Sequence, residues 1–252
     1  MDDLQLRPAG PGDLPALAGL FLRARAAAVP AMPPAVHSEA EVRAWVVGWD
    51  LEAWDVWLAE GDGRPQGFAV VTGDWLHSLY VAPDAAGQGV GGTLLDLVKG
   101  LRPDGFCLWV FESNVAAREF YENRGLVSLE RTDGSANEER APDIRMAWPG
   151  SDPLAFFRRL IDEVDEQLGD LLARRAALTR AVQPLKPDGS RDPVRERRIA
   201  EAMAARAPAL GTDRLARIVD AIVTESLDAA ASMGGDAAAS SGGDAAASTG
   251  GD

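Results

Sequence analysis

Residues 75–98 read WLHSLYVAPDAAGQGVGGTLLDLV, and the fold of the first half of the chain turns on this stretch. The run Trp75–Val81 alternates as a strand, with His77, Leu79 and Val81 on one face. Leu94, Leu95 and Val98 recur at helical spacing and predict a helix over Thr93–Lys99. Between them stand Gly87, Gly89, Gly91 and Gly92. Glycines there let backbone amides approach a phosphate at the helix N-terminus, where the dipole and unbonded N–H groups favour an anion. A glycine-rich strand–helix turn is also an ordinary structural device, so on its own it leaves both readings open.

Working outward, short strands and helices alternate. Leu4–Arg7, Asp55–Glu60, Gly67–Thr72, Phe106–Phe111, Val127–Arg131 and Ile144–Trp148 read as strands. Leu14–Ala28, Glu39–Val47 and Val115–Asn123 read as helices. The class implied for residues 1–149 is mixed α/β with a largely antiparallel sheet. At Pro149-Gly150-Ser151-Asp152-Pro153 the pattern changes: Asp152 suits a helix cap and Pro153 the first helical position. From 152 to 230 only helical periods follow, in three helices: Pro153 to about Gln183, Pro193–Ala207 and Asp213–Leu227. The first would be roughly 46 Å long, whereas a compact domain of this size is roughly 30 Å across. Its apolar residues therefore require a partner chain, and a homodimer is expected. The last units, AAASMGGD, AAASSGGD and AAASTGGD, offer little to bury, so residues 231–252 are expected to be a flexible tail.

Residues 1–148 carry 12 Lys+Arg against 22 Asp+Glu, and the whole chain has a net charge of −14. Nucleic acid and anionic membrane surfaces are thereby excluded as partners. One cysteine, Cys107, forbids an internal disulfide. With no apolar leader or spanning run, a cytoplasmic location is expected. Nothing in either half implies a metal. Only Lys99 and Lys186 are lysines among 25 basic residues, so a lysine at any given basic position is unusual.

A second segment, LWVFESNVAAREFYENRGL at 108–126, joins the glycine turn. Together they resemble the GNAT superfamily of N-acetyltransferases, across nearly all of residues 3–148. The resemblance implies acetyl-CoA as acyl donor and an amine as acceptor. It places the backbone of Leu79, Tyr80 and Val81, and the loop Ala86, Gly87, Gln88, Gly89, Val90 and Gly91, against the donor. Asn114 would meet its pantetheine region and Tyr121 would protonate the departing thiolate. The family usually carries Arg or Gln where Ala86 stands, a departure that removes one phosphate contact. The general base stays undetermined. His77 reads equally as a buried structural histidine, and Glu112 as a solvated carboxylate.

The helical half contains FRRLIDEVDEQLGDLLARRAAL at 157–178, the lone Lys186, DPVRERR at 192–198 and IVDAIVTESL at 218–227. Arg175 and Lys186 are about three turns apart and would share a face if the helix continued that far. Arg158 is rotated about 100° away and points elsewhere. This set resembles the type II, all-helical chorismate mutases, in which two subunits intertwine through the long helix. The resemblance implies that Arg158 crosses to the partner's site, Arg175 clamps a substrate carboxylate and Lys186 donates to the ether oxygen. Asp192, Arg195, Glu196 and Ser226 would assist. The chemistry suits such residues. Conversion of chorismate to prephenate breaks a C–O bond while making a C–C bond, and needs no base, nucleophile or cofactor. The protein holds a folded dicarboxylate and stabilises charge on the ether oxygen. Two departures stand out: Pro184 interrupts the helix before Lys186, and Ala230 replaces the Gln or Glu usual four residues after Ser226. Two rival readings remain open. One is a mutase for 4-amino-4-deoxychorismate, and the other is a non-catalytic helical dimerisation module attached to an acetyltransferase.

Overall fold

The structure is a computed structural model; it describes residues 4–186 and 191–240, the last eight of these by backbone only. Seven strands form one sheet: β1 (Gln5–Pro8), β2 (Asp55–Gly61), β3 (Arg64–Thr72), β4 (Trp75–Val81), β5 (Phe106–Phe111), β6 (Val127–Arg131) and β7 (Asp143–Trp148), in the order β1-β2-β3-β4-β5-β7-β6. Every pairing is antiparallel except β4 with β5. The expected class is observed. The helices of this half are α1 (Leu14–Ala27), α2 (Glu39–Val47), α3 (Val90–Leu101) and α4 (Val115–Glu122).

Strand β3 shows why the sheet is covered on both sides. Phe68, Ala69, Val70 and Val71 are all essentially inaccessible, and successive side chains of a strand point to opposite faces. Phe68 packs near Trp49 and Tyr80. On the other face, a Cβ at Gly67 would lie 2.9 Å from Val90 and 3.0 Å from Leu94. Glycine at 67 therefore lets α3 settle directly on the sheet, and this fixes where α3 begins. Helix α3 is longer at its start than the apolar spacing suggested, because the three residues Val90–Gly92 join its first turn.

The chain divides into two compact units, Met1–Arg159 and Leu160–Asp252. The first unit thus extends past the boundary expected near residue 150. Helix α5 (Pro153–Val182) is capped by Asp152, whose carboxylate accepts the Ala155 N–H at 3.0 Å. Its first turns carry Phe156, 1% exposed. That ring lies over Gly105 (φ +99°), where a Cβ would come within 2.4 Å of it. Arg159 covers the same ring at 5.2 Å and lies 3.9 Å from Asp74. Sequence periodicity registers the start of a helix but not which core its first turns enter.

In the second unit, α5 stops at Val182 and a 3-10 turn covers Gln183–Leu185. Pro184 supplies no amide for an α-helical bond and its ring clashes with the preceding turn. Lys186 then adopts an extended backbone, so the three-turn phase relation with Arg175 does not hold. Helix α6 (Pro193–Arg206) begins at an Asp192 cap. Helix α7 (Gly211–Ser240) is much longer than expected. Its alanine-rich continuation has high helix propensity, and residues 231–240, expected to be flexible, are helical. Residues 241–252 of that expectation lie outside the described residues. Ala200 of α6 and Leu215 and Val219 of α7 are buried. By contrast, Ile161, Val164, Leu168, Leu171, Leu178 and Val182 of α5 stand 46 to 61% exposed. None of the described helices is long and apolar enough to cross a membrane.

Candidate functional site

Strands β4 and β5 meet in register only at Trp75 and Cys107, where the Cys107 N–H donates to Asp74 O at 2.8 Å. Beyond that point they diverge. The backbone edge of Leu79, Tyr80 and Val81 that would face β5 has no ladder partner, while the opposite edge pairs with β3. A cleft of about 490 Å³ opens in the gap, lined among others by His77, Leu79, Tyr80, Asn114 and Tyr121. The cleft offers an extended molecule a row of unused peptide groups on one wall.

At the mouth of α3, Gly87 (φ +77°) and Gly89 (φ +90°) take left-handed conformations that favour glycine. No side chain caps α3. The amides of its first turn are therefore available to an anion, as at other helix N-termini. Ala86 and Gln88 are exposed there, and Gln88 turns its amide onto Asp84 O at 2.8 Å. These features fit the pyrophosphate and pantetheine of acetyl-CoA: an uncapped helix start for the first and an unpaired strand edge for the second.

Tyr121 of α4 is 8% exposed and lines the cleft. Burial, and then the neighbouring Tyr80, push its phenol well above the usual tyrosine range. It keeps its proton. Asn114 also lines the cleft, while its side-chain oxygen accepts the Ala117 N–H at 3.2 Å and caps α4. His77 is exposed on the sheet face, not buried, and stacks on Trp54 at 6.4 Å. Desolvation of the covered part of the ring lowers its pKa below the usual imidazole value. The Glu112 carboxylate is engaged by the Arg131 guanidinium. Of the two base candidates, His77 is the one in the cleft.

In the helical unit, Arg175 and Ser226 meet. Arg175 Nη1 donates to Ser226 Oγ at 2.6 Å and to Ile222 O at 3.1 Å. Glu196 is held elsewhere: Arg191 grips it with two N–H donors, at 2.6 and 3.0 Å, and also donates to Asp220 at 2.6 Å and Thr224 at 3.2 Å. That guanidinium holds the Glu196 carboxyl below its usual pKa. Positions 220 and 224 lie about 200° around α7 from 222 and 226. Arg191, with the Glu196 that it holds, and Arg175 thus meet different faces of α7. The Asp192 carboxylate accepts the Arg195 N–H at 3.0 Å, and the Arg195 and Arg158 side chains are exposed. Sequence reasoning missed Arg191. Its place directly before a capping Asp-Pro pair, where it can reach the first turn of α6, was the available signal.

Comparison with known proteins agrees with both halves. Residues 52–126 match the family model of the acetyltransferase (GNAT) domain, and residues 157–230 match that of chorismate mutase type II. The chain is 30% identical over 95 residues to the peptidyl-lysine N-acetyltransferase YjaB of Salmonella typhimurium, a match covering 37% of this chain and 65% of that protein. It therefore spans just under two thirds of that relative. An uncharacterized N-acetyltransferase of Archaeoglobus fulgidus is 30% identical over 109 residues, with 37% of this chain and 72% of that one covered. The solution structure of apo YjaB from Escherichia coli shares the fold, with a TM-score of 0.50 at 22% identity over 59% of this chain and 99% of that one. The chain belongs to the GNAT acetyltransferases and carries a type II chorismate mutase domain after its acetyltransferase domain.

Proposed function

We propose that this chain is a bifunctional, homodimeric enzyme that acetylates an amine from acetyl-CoA and rearranges chorismate to prephenate. The observation that carries the first activity is the divergence of β4 from β5 beside an uncapped α3. Acetyl-CoA supplies an acetyl group activated as a thioester. The α3 amides, with Gly87, Gln88, Gly89, Val90 and Gly91, hold its phosphates, and the edge of Leu79–Val81 aligns the pantetheine beside Asn114. Backbone N–H groups of that edge stabilise negative charge on the carbonyl oxygen. The amine nitrogen forms a bond to carbon as the C–S bond breaks; the sulfur leaves and takes a proton from Tyr121. The amine gives up one proton, which His77 is placed to receive in its neutral form. The relative's name, a peptidyl-lysine N-acetyltransferase, supports an amine as acceptor.

The second activity rests on Arg175, already oriented by Ser226, together with Lys186, Asp192, Arg195 and Glu196. Planar guanidinium forks suit the two carboxylates and a compact ammonium suits the ether oxygen. The apolar stripe of α5, over about 45 Å of helix, is the surface through which a second copy completes the site, with Arg158 contributed across it. The lone cysteine fits a reducing, cytoplasmic compartment. Two observations favour a dimerisation module without mutase activity: Pro184 ends α5 before Lys186, and Arg191 occupies Glu196. Incubating the intact chain with chorismate and, separately, with 4-amino-4-deoxychorismate decides among the readings. Loss of chorismate supports the first, loss of the amino analogue alone favours the rival substrate, and survival of both in an intact dimer favours the module.

A further inference from the structure

A second cleft, of about 760 Å³, lies between α1, α2 and the loop joining β6 to β7. It borders the first: Arg25 and Glu139 line both. Arg25 Nη2 donates to Glu139 Oε1 at 2.8 Å, with both side chains 15% exposed. A second tie, His37 Nε2 to Glu138 Oε2 at 2.8 Å, joins the same loop to the segment before α2, nearer solvent. Together the pairs hold the β6–β7 loop against the end of α1 and the segment that follows it.

The walls combine two properties. Phe21, Val29, Val36, Val42 and Trp45 line the cleft, and Val29, Val36 and Trp45 are 48, 58 and 49% exposed. Aromatic area is continuous from Phe21 to Trp45 (5.9 Å) and on to Trp49 (5.2 Å). The charges are one-sided. The lining holds four carboxylates, Glu39, Glu41, Glu138 and Glu139, against Arg25 and His37. The Arg25–Glu139 pair is internally neutral, and a protonated His37 offsets only Glu138. Glu39 and Glu41 form no ion pair among the described residues, although the Glu41 carboxylate accepts the Ser38 N–H and hydroxyl at 2.8 and 2.7 Å, so two negative charges remain beside an apolar wall.

Resting on the acetyltransferase reading, we propose that this second cleft is the acceptor site and selects a small amine carried, as a cation, on a bulky apolar or aromatic group. The ammonium enters along the carboxylates, the apolar group covers the Val36–Trp45 wall, and the nitrogen reaches the first cleft past the Arg25–Glu139 pair. A cavity of this size matches a small molecule. The same charges reject an amine bearing two carboxylates. The acceptor is then not the amino analogue of chorismate, and the two domains of the chain do not share a substrate.

The test uses the full chain with acetyl-CoA and follows thiol release with 2-phenylethylamine, methylamine, a lysine-containing peptide and 4-amino-4-deoxychorismate. The expected result is a kcat/KM for 2-phenylethylamine at least about tenfold above the other three. The doubly substituted Glu39→Gln, Glu41→Gln chain should raise the KM for 2-phenylethylamine about tenfold, with circular dichroism checking the fold because Glu41 also caps α2. Glu39→Gln alone, which spares the cap, should raise it in the same direction. Equal or better turnover of methylamine, peptide or dicarboxylate overturns the proposal. If no amine is acetylated, titration of tryptophan fluorescence with 2-phenylethylamine decides: saturable quenching supports the site and its lack overturns it. Calorimetry with acetyl-CoA keeps the two readings apart. Binding of acetyl-CoA without amine selectivity refutes this inference alone, whereas no binding of acetyl-CoA refutes the acetyltransferase reading beneath it.

Discussion

Replacing Tyr121 with Phe removes one hydroxyl from a buried ring and leaves the packing intact. The ring sits edge-on to Phe120 at 5.1 Å and is 8% exposed. No described residue gives or takes a hydrogen bond at its hydroxyl, so the change strands no partner. The stability cost should therefore stay below about 1 kcal/mol. Donor affinity should stay within about twofold, because the phosphate cradle proposed at Gly87–Gly91 and the strand edge are untouched. Turnover is another matter. A positioned acid contributes about 10²- to 10⁴-fold, so kcat should fall at least about a hundredfold, or about 2.7 kcal/mol of barrier. The assay is thiol release at saturating acetyl-CoA and amine, repeated across pH. Burial holds the phenol protonated above the usual tyrosine value, so the unmodified enzyme should show no loss of this acid below about pH 10. A Tyr121→Phe enzyme with parental kcat and an unchanged pH profile would refute the role and leave Tyr121 as packing.

Other outcomes follow from the same geometry. Gly89→Glu puts a carboxylate and a Cβ at a left-handed position (φ +90°) beside the phosphate cradle; calorimetry should show loss of acetyl-CoA binding with chorismate chemistry unchanged. Lys186→Ala should cost the rearrangement roughly 3 kcal/mol, Lys186→Arg nearly as much, and neither should alter acetyl transfer. Ala230 lies in α7 one turn after Ser226, so Ala230→Gln should raise the rate of chorismate loss, and an unchanged rate would remove position 230 from the site. Phe156→Ala should lower the stability of the first unit by about 3 kcal/mol or more, read by denaturant titration; a smaller loss would put the boundary back near residue 150. Arg7 holds the Asp13 carboxyl at about 2. A lowered carboxylate pKa stabilises the fold above the unfolded value and loses that contribution as pH falls towards 2, so Asp13→Asn should flatten the acid limb of the stability curve.

Most strand and helix positions in the first half were legible, because alternation on β4 and helical spacing on α3 each report burial directly. The splay of β4 from β5 was not. It depends on which backbone edge goes unpaired, and side-chain patterns carry no record of that. Phe156 is apolar at a helical period whichever core it enters, so the boundary at Arg159 became visible only with Gly105 beneath the ring. Pro184 did announce the end of α5. What spacing alone cannot supply is that Lys186 then leaves the helical phase shared with Arg175. The alanine-rich segment after Leu227 was read by its lack of large apolar groups, although alanine also has the highest helix propensity, and that preference carries α7 on to Ser240. The pairing of Arg191 with Glu196 spans a helix start and needed a three-dimensional view.

The measurement that bears most directly on two activities in one chain is the absorbance loss of chorismate incubated with the intact protein, with and without acetyl-CoA, alongside Lys186→Ala. If each half works without the other, catalysed loss of chorismate is expected at the same rate in both mixtures and is abolished by Lys186→Ala. Chorismate that persists at its uncatalysed rate with the intact protein would contradict the proposed mutase activity.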